Sequence, residues 1–222
     1  KRVISLLLAL VLAVSLLPTA AWAAEEPKLQ GSGTEADPYS IGTAAELKWF
    51  RDHVNGDESG TPYRTECAKL TNDITLKSWT PFAPGNGDIR NAFGGTFDGN
   101  GHTIKNLTLT SGDGLFASVC DAKITNLKVE GTVSNDNSTG VGGIVGKTQG
   151  TVTIKNCAFS GSVSSTKVAR KAGVGGIVGL VNNGAVKIEN CYSTANVSSG
   201  KYAGGILGCV TAADTTITSS FS

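Results

Sequence analysis

The chain has 222 residues with 19 basic and 18 acidic side chains, a formal net charge of +1, so no strong field marks it for nucleic acid. Glycine is abundant at 29 residues and aromatics make up only 6%, a composition that suits many short strands joined by tight turns. The five cysteines, Cys67, Cys120, Cys157, Cys191 and Cys209, show no Cys-x-x-Cys or Cys/His spacing, which argues against a zinc motif, and their odd number leaves at least one unpaired.

Lys1 and Arg2 precede an uncharged run from Val3 to Leu17, then Pro18 and Ala21-Trp22-Ala23. This order is that of a secretory signal peptide cleaved after Ala23. The apolar run is shorter than the roughly 20 residues that a membrane-spanning helix needs, and no second one follows, so no transmembrane helix is expected in the mature chain. The expected location is extracellular or at the cell surface. With no Met in the sequence, the natural start is expected upstream of Lys1.

Residues 24–30 read as a linker, and 31–100 as an N-terminal cap with irregular first coils. Thr43-Ala44-Ala45-Glu46 is a capping box, followed by Leu47, Phe50 and Val54 at helical spacing and by Gly56 as a stop. A short amphipathic helix is therefore predicted over Ala44 to Asn55, sealing the first coil. Trp49, Trp79 and Phe82 read as packing for this cap. Charge shifts along the chain: residues 24–100 hold 7 basic and 12 acidic side chains, and 101–222 hold 10 and 6.

Beyond residue 100 one pattern recurs. Ile-x-Asn-(Leu or Cys) occurs at Ile104 to Leu107, Ile124 to Leu127, Ile154 to Cys157 and Ile188 to Cys191, with a weak copy at Ile217 to Ser220. A Gly-Gly-Ile-Val-Gly type strand alternates with it at Gly142 to Gly146, Gly175 to Gly179 and Gly204 to Gly208, with a degenerate copy at Asp113 to Ala117. From Ile124 the isoleucines step by 30, 34 and 29 residues and the glycine segments by 29, 33 and 29. Each period holds three short β-type runs and nothing helical, so a single unit cannot bury its apolar side and must stack on its neighbours. The predicted fold is all-β, a right-handed parallel β-helix (β-solenoid) with three short strands per coil. A β-sandwich is the competing architecture, but it would favour hairpin turns and needs no identical residues at a 30-residue step.

In this register Ile124, Ile154 and Ile188 stack inward. Asn106, Asn126, Asn156 and Asn190 are expected to form an asparagine ladder at one corner, because Asn tolerates the left-handed backbone and can bond to the neighbouring turn. Cys157 and Cys191 read as small core residues, and their parallel Cβ directions make a disulfide between them awkward.

The Gly-Gly-Ile-Val-Gly segments and the Ile-x-Asn-Cys-Tyr-Ser stretch at 188–193 resemble the GLUG-motif repeats of large exported bacterial surface proteins. The resemblance covers 101–222. The segments Gly31 to Tyr39 and Phe93 to Ile104 are similar to the opening that precedes such repeats. It implies a mostly noncatalytic β-helical region within a longer chain, here cut short in a new repeat at Thr216 to Ser222. Some members precede a metallopeptidase domain that cuts host immunoglobulin A; the His-Glu-x-x-His motif of that domain is absent here.

Three functions follow as expectations. The first is a noncatalytic secreted or cell-surface module for adhesion or ligand presentation, with a host or matrix glycan or protein as partner and no cofactor, metal or nucleic acid. The second is a polysaccharide lyase or glycosidase on the β-helix, which rests on fold analogy alone; the repeat acids Asp113, Asp121, Glu130, Asp136, Glu189 and Asp214 share no repeat position, and Asp98 with His102 lies in what reads as a tight turn. The third is the front part of a surface metallopeptidase whose catalytic domain lies beyond Ser222. Ice binding is weak, since Thr153, Lys187 and Thr216 break a threonine array. Repeat length varies at one corner, over 134–141, 164–174 and 198–203, so the expected ligand-binding loops carry Asn135, Asp136 and Asn137, then Lys167, Arg170 and Lys171, then Lys201 and Tyr202.

Overall fold

Parallel pairing of equivalent positions one repeat apart sets the architecture. In the computed structural model, which describes residues 27–56, 64–83, 91–211 and 214–222, Ile154 is the register partner of both Ile124 and Ile188, and Ile188 of Ile217. The first three side chains are fully buried, whereas Ile217, in the last coil, is 44% exposed. The signal segment expected over 1–23 lies outside the described residues.

The chain winds into a parallel β-solenoid of about five turns. A first sheet of seven strands stacks Tyr39–Ile41, Ala68–Leu70, Thr96–Asp98, Lys123–Thr125, Val152–Lys155, Val186–Glu189 and Thr215–Thr218. A second sheet stacks Ile74–Thr75, Thr103–Leu109, Lys128–Ser134, Ala158–Ser165 and Tyr192–Ser193, with Asn196–Ser199 also pairing on Ala158–Ser165. The remaining side of each coil is divided. Gly140–Gly142, Gly173–Gly175 and Tyr202–Gly204 form a short third sheet, and Phe116–Cys120, Val145–Gln149, Val178–Val181 and Leu207–Val210 form a fourth.

This division refines the reading of the glycine motif. Gly-Gly-Ile-Val-Gly is not one strand but a crease between two, bent at Gly143-Ile144, Gly176-Ile177 and Gly205-Ile206. The glycines allow the third and fourth sheets to meet there. A Cβ on Gly142 or Gly175 would run into the carbonyl of Val145 or Val178, and one on Gly143 into the ring of Phe159. The motif therefore repeats because backbone must approach backbone at every turn.

One corner carries a column of left-handed residues. Asn126, Asn156 and Asn190 have φ of 52°, 55° and 51°, and Ser219 continues the column at 49°. Asn190 Nδ2 donates to Asn156 Oδ1 at 3.3 Å, Asn156 Nδ2 to Asn126 Oδ1 at 2.8 Å, and Asn126 Nδ2 to Asp98 Oδ1 at 2.9 Å. Asn106 is not part of this column. Its φ is also left-handed at 62°, but Ile104 pairs with Ile74 and Val129 on the second sheet, and Asn106 sits at a bulge where the register shifts between Ile104 and Leu107. There its Nδ2 donates to the Leu76 carbonyl at 2.8 Å. The first-sheet counterpart of Ile124 is Phe97, and the corner that follows it carries Asp98 and Gly99.

At the N-terminal end a helix, α1 (Ala44–Asn55), carries the full capping box between Thr43 and Glu46 and ends on Gly56 in the left-handed region at φ 81°. It buries Leu47, Phe50 and Val54. Phe50 meets Phe82, Phe93 and Phe97, and Phe82 stacks on Phe116 at 4.6 Å. These five phenylalanines are all fully buried and fill the space between the helix and the first coils. Trp79 packs on Phe82 with Arg51 over its ring at 4.9 Å, and Trp49 stacks on His53 at 4.7 Å.

All five cysteines are free. Cys157 and Cys191 are buried one above the other, and the Cys157 N–H points at Cys191 Sγ at 3.4 Å. Burial pushes the Cys157 thiol well above the ordinary range.

Candidate functional site

The loops between the second and third sheets, 135–139, 166–172 and 200–201, are where coil length varies. Each begins with the same local turn. Asn135 Oδ1 accepts from Asn137 N at 2.9 Å, Ser165 Oγ from Lys167 N at 3.2 Å, and Ser199 Oγ from Lys201 N at 3.1 Å. A short polar side chain at this position closes an Asx- or Ser-type turn and lets the chain leave the second sheet.

This geometry splits the eight loop residues singled out in the sequence. Asn135 is buried, and its Nδ2 donates to the Ser111 carbonyl at 3.0 Å and to Asp113 Oδ1 at 2.7 Å. Asp136 accepts from Thr166 N at 2.7 Å, which holds its carboxyl below the usual range. Both are occupied in joining coils and offer little to a ligand. Asn137 is exposed, Lys167 is half-buried, and Arg170, Lys171, Lys201 and Tyr202 are exposed. Lys201 Nζ lies over the Tyr202 ring at 5.4 Å.

The exposed residues border hollows that the sequence did not reveal. Arg170, Lys171 and Tyr202, with Gly208, Cys209, Val210 and Thr211, line one of about 410 Å³. Arg170 and Lys171 also border a second of about 380 Å³ with Thr139, Lys147, Gln149, Leu180 and Asn182. Lys147 in turn helps line a third, about 570 Å³, with Trp79, Thr108, Ser111, Asp113, Asn135 and Asn137. The missed residues share one register position: Lys147, Leu180 and Cys209 are partners on the fourth sheet. Each follows the last glycine of its motif, so the signal was present in the repeat itself. Burial raises the Cys209 thiol, and nearby Lys171 and Lys201 oppose that rise.

Carboxylates elsewhere are engaged between coils. Asp73 accepts from Thr103 N at 3.0 Å and pairs with Lys105 at 2.8 Å. Asp98 takes Asn100 N and Asn126 Nδ2, Asp113 takes Asn135 and Lys147 Nζ, Asp121 takes Thr151 N, and Glu189 pairs with Lys187 and Lys155. Asp98 and His102 face different partners, since the imidazole Nδ1 lies 3.5 Å from Asp73. Among the described residues no group of three or more His, Cys, Asp or Glu side chains could hold a metal ion. No helix there is long and apolar enough to cross a membrane.

No family model matches the chain. An alignment of 171 positions, which covers 72% of the chain, is 30% identical to halomucin of Haloquadratum walsbyi (strain DSM 16790 / HBSQ001). The chain spans about 2% of that relative's length. Among solved structures, a Bacteroides ovatus protein provisionally named an immunoglobulin A1 protease aligns over 83% of this chain and 76% of its own, at 20% identity and a TM-score of 0.46.

Proposed function

We propose that the chain is a noncatalytic, ligand-presenting coil module of an exported bacterial-type surface protein, built from GLUG-like repeats. The observation that carries this reading is the use of the carboxylates. Glycoside cleavage needs two carboxyl groups facing a common substrate, typically about 5–10 Å apart. Here Asp73, Asp98, Asp113, Asp121, Asp136 and Glu189 each accept a hydrogen bond or ion pair from another coil or from the adjoining strand. An acid held in this way stabilises stacking and is poorly placed to shuttle protons. Export rests on the leader pattern of Lys1 to Ala23, and a host or matrix glycan or protein is the partner class that the exposed loop residues suit.

The test is incubation of the purified chain with pectic and host glycans, followed by assays for new reducing ends and unsaturated products. No product above the buffer blank is expected. Steady product formation that scales with protein would overturn the reading. Fusion of residues 1–23 to a periplasmic reporter checks the export arm, with delivery expected and cytoplasmic retention against it.

A further inference from the structure

The three hollows share their walls. Arg170 with Lys171 lines the first and second, and Lys147 lines the second and third. They therefore form one open furrow over the outer side of the fourth sheet, running parallel to the solenoid axis. Its floor is marked by Lys147, Leu180 and Cys209, which are register partners. Successive floor residues are consequently spaced by the parallel-strand separation, about 4.8 Å.

Charge in the furrow is one-sided. Lys147 is neutralised by Asp113 at 3.0 Å, but Arg170 and Lys171 are exposed and make no ion pair among the described residues. Lys201, from the following coil, lines none of the three hollows but stands at the rim near Cys209, with its ammonium over the Tyr202 ring. Three cations held together without a counter-charge repel one another, and an anionic ligand relieves that repulsion. Arg presents a planar fork matched to carboxylate or sulfate oxygens. Tyr202 is 43% exposed and offers a ring on which the apolar face of a sugar can lie. An open furrow with charges on two successive coils suits an extended polymer better than a small anion. Tyr202 and Trp79, in the two outer hollows, do not make the row of stacking rings that single-stranded nucleic acid requires, and the net charge of the chain is only +1.

We propose that this furrow binds an extended acidic polysaccharide along the solenoid axis, with its carboxylate or sulfate groups on Arg170, Lys171 and Lys201 and a sugar ring against Tyr202. The assignment rests on the noncatalytic, ligand-presenting reading above and names the ligand class for it.

Binding of the full chain to polygalacturonate, heparin, neutral dextran and poly(dT) tests the assignment. One of the two acidic polysaccharides should bind, polygalacturonate indicating carboxylate and heparin sulfate as the recognised group, while dextran should not. R170S/K171S should weaken that binding about tenfold or more, with an unchanged circular dichroism spectrum because both side chains are exposed. Tyr202→Ala should weaken it by a smaller factor. The control is K28S/K128S, which removes two exposed lysines that line none of the three hollows and should leave binding unchanged. Equal losses in the two double variants, or poly(dT) held as tightly as the polysaccharide, would mean simple ion exchange and would overturn the furrow. Polymer length is measured in the same samples. Shortening that R170S/K171S abolishes would support the furrow while overturning the noncatalytic reading, so the two failures are distinguishable.

Discussion

The two ends of the solenoid solve the same packing problem by different means. In the first coils the strands are short and unevenly spaced, and the interior is filled by volume: Phe50, Phe82, Phe93, Phe97 and Phe116 interlock beneath α1. In the later coils Phe159 is the only fully buried phenylalanine, and the core is Val, Ile, Leu and Cys in columns. There the shape is fixed by backbone devices, the glycine crease and the asparagine corner. Large rings can bridge coils of unequal shape, whereas a repeated coil needs small residues that fit the same way each time.

The largest expected effect tests the volume-filled end. Phe82→Ala removes a ring within 4.6–6.2 Å of four other phenylalanine rings, and should cost about 3–5 kcal/mol. Denaturant unfolding followed by circular dichroism measures this. If the two ends are energetically distinct, the loss falls on the N-terminal coils first, and amide exchange should accelerate there before it does around Ile154. A loss under about 1 kcal/mol would show that the aromatic cluster is not what holds the cap.

A smaller effect probes the crease. Gly175→Ala drives a methyl group into the Val178 carbonyl and toward the Gly208 nitrogen, so about 1–3 kcal/mol of destabilisation is expected from overpacking. Gly101 supplies the contrast. Its φ is +83°, yet nothing lies within 4 Å of the Cβ position, so Gly101→Asn should be almost neutral, since Asn accepts that conformation. Equal costs at the two sites would remove the distinction between a glycine kept for space and one kept for backbone angle.

The corner ranks next. Asn156→Ala loses the hydrogen bonds to Asn126 and from Asn190 and places Ala at φ 55°, for an expected cost of about 1–2 kcal/mol. Asn156→Gly relieves the backbone but not the side-chain bonds, so its smaller cost isolates the ladder. Thermal melts of both variants give the comparison. A glycine variant that melts with the parent would mean that backbone angle is all that the corner requires, and identical losses in the two variants would mean that the ladder carries the whole cost.

These sites also show what a linear reading captures. The helix is legible to the residue because its signals are local: Thr43 and Glu46 close a capping box, and Gly56 stops the turn. The isoleucine column is legible because an identical residue recurs at a regular step. Asn106 misleads for a physical reason. Ile-x-Asn encodes a left-handed residue after a strand, and Asn106 has that conformation, but nothing local says which sheet the strand joins. The crease was hidden in the same way, since the need for Gly175 arises from Val178 and from Gly208 a coil away. At the candidate site, Asn135 and Asp136 looked free because their partners, Asp113 and Thr166, belong to neighbouring coils. The repeat marks Lys147 as the residue after its last glycine, but that this position faces outward shows only in three dimensions.

The smallest effect concerns the carboxylates that join coils in the exposed early region. Lys105 Nζ, followed by the Thr103 N–H and then His102, holds Asp73 down from its ordinary value to about 2. A carboxyl whose pKa is depressed on folding stabilises the folded state above its unfolded value, near 3.8, and the contribution is lost as pH falls through about 2. Asp73→Asn preserves an acceptor for Thr103 N but removes the charge. At pH 6 the variant should melt slightly below the parent, by little because the side chain is exposed and screened by salt. As the pH is lowered from 4 to 2 the two melting curves should converge, and at pH 6 raising the salt should narrow the gap. An undiminished gap at pH 2 that salt does not narrow would show that charge is not what Asp73 contributes. Exposed acids in these coils would then act through backbone geometry, as the asparagines do in the later ones, and this part of the contrast between the two ends would disappear.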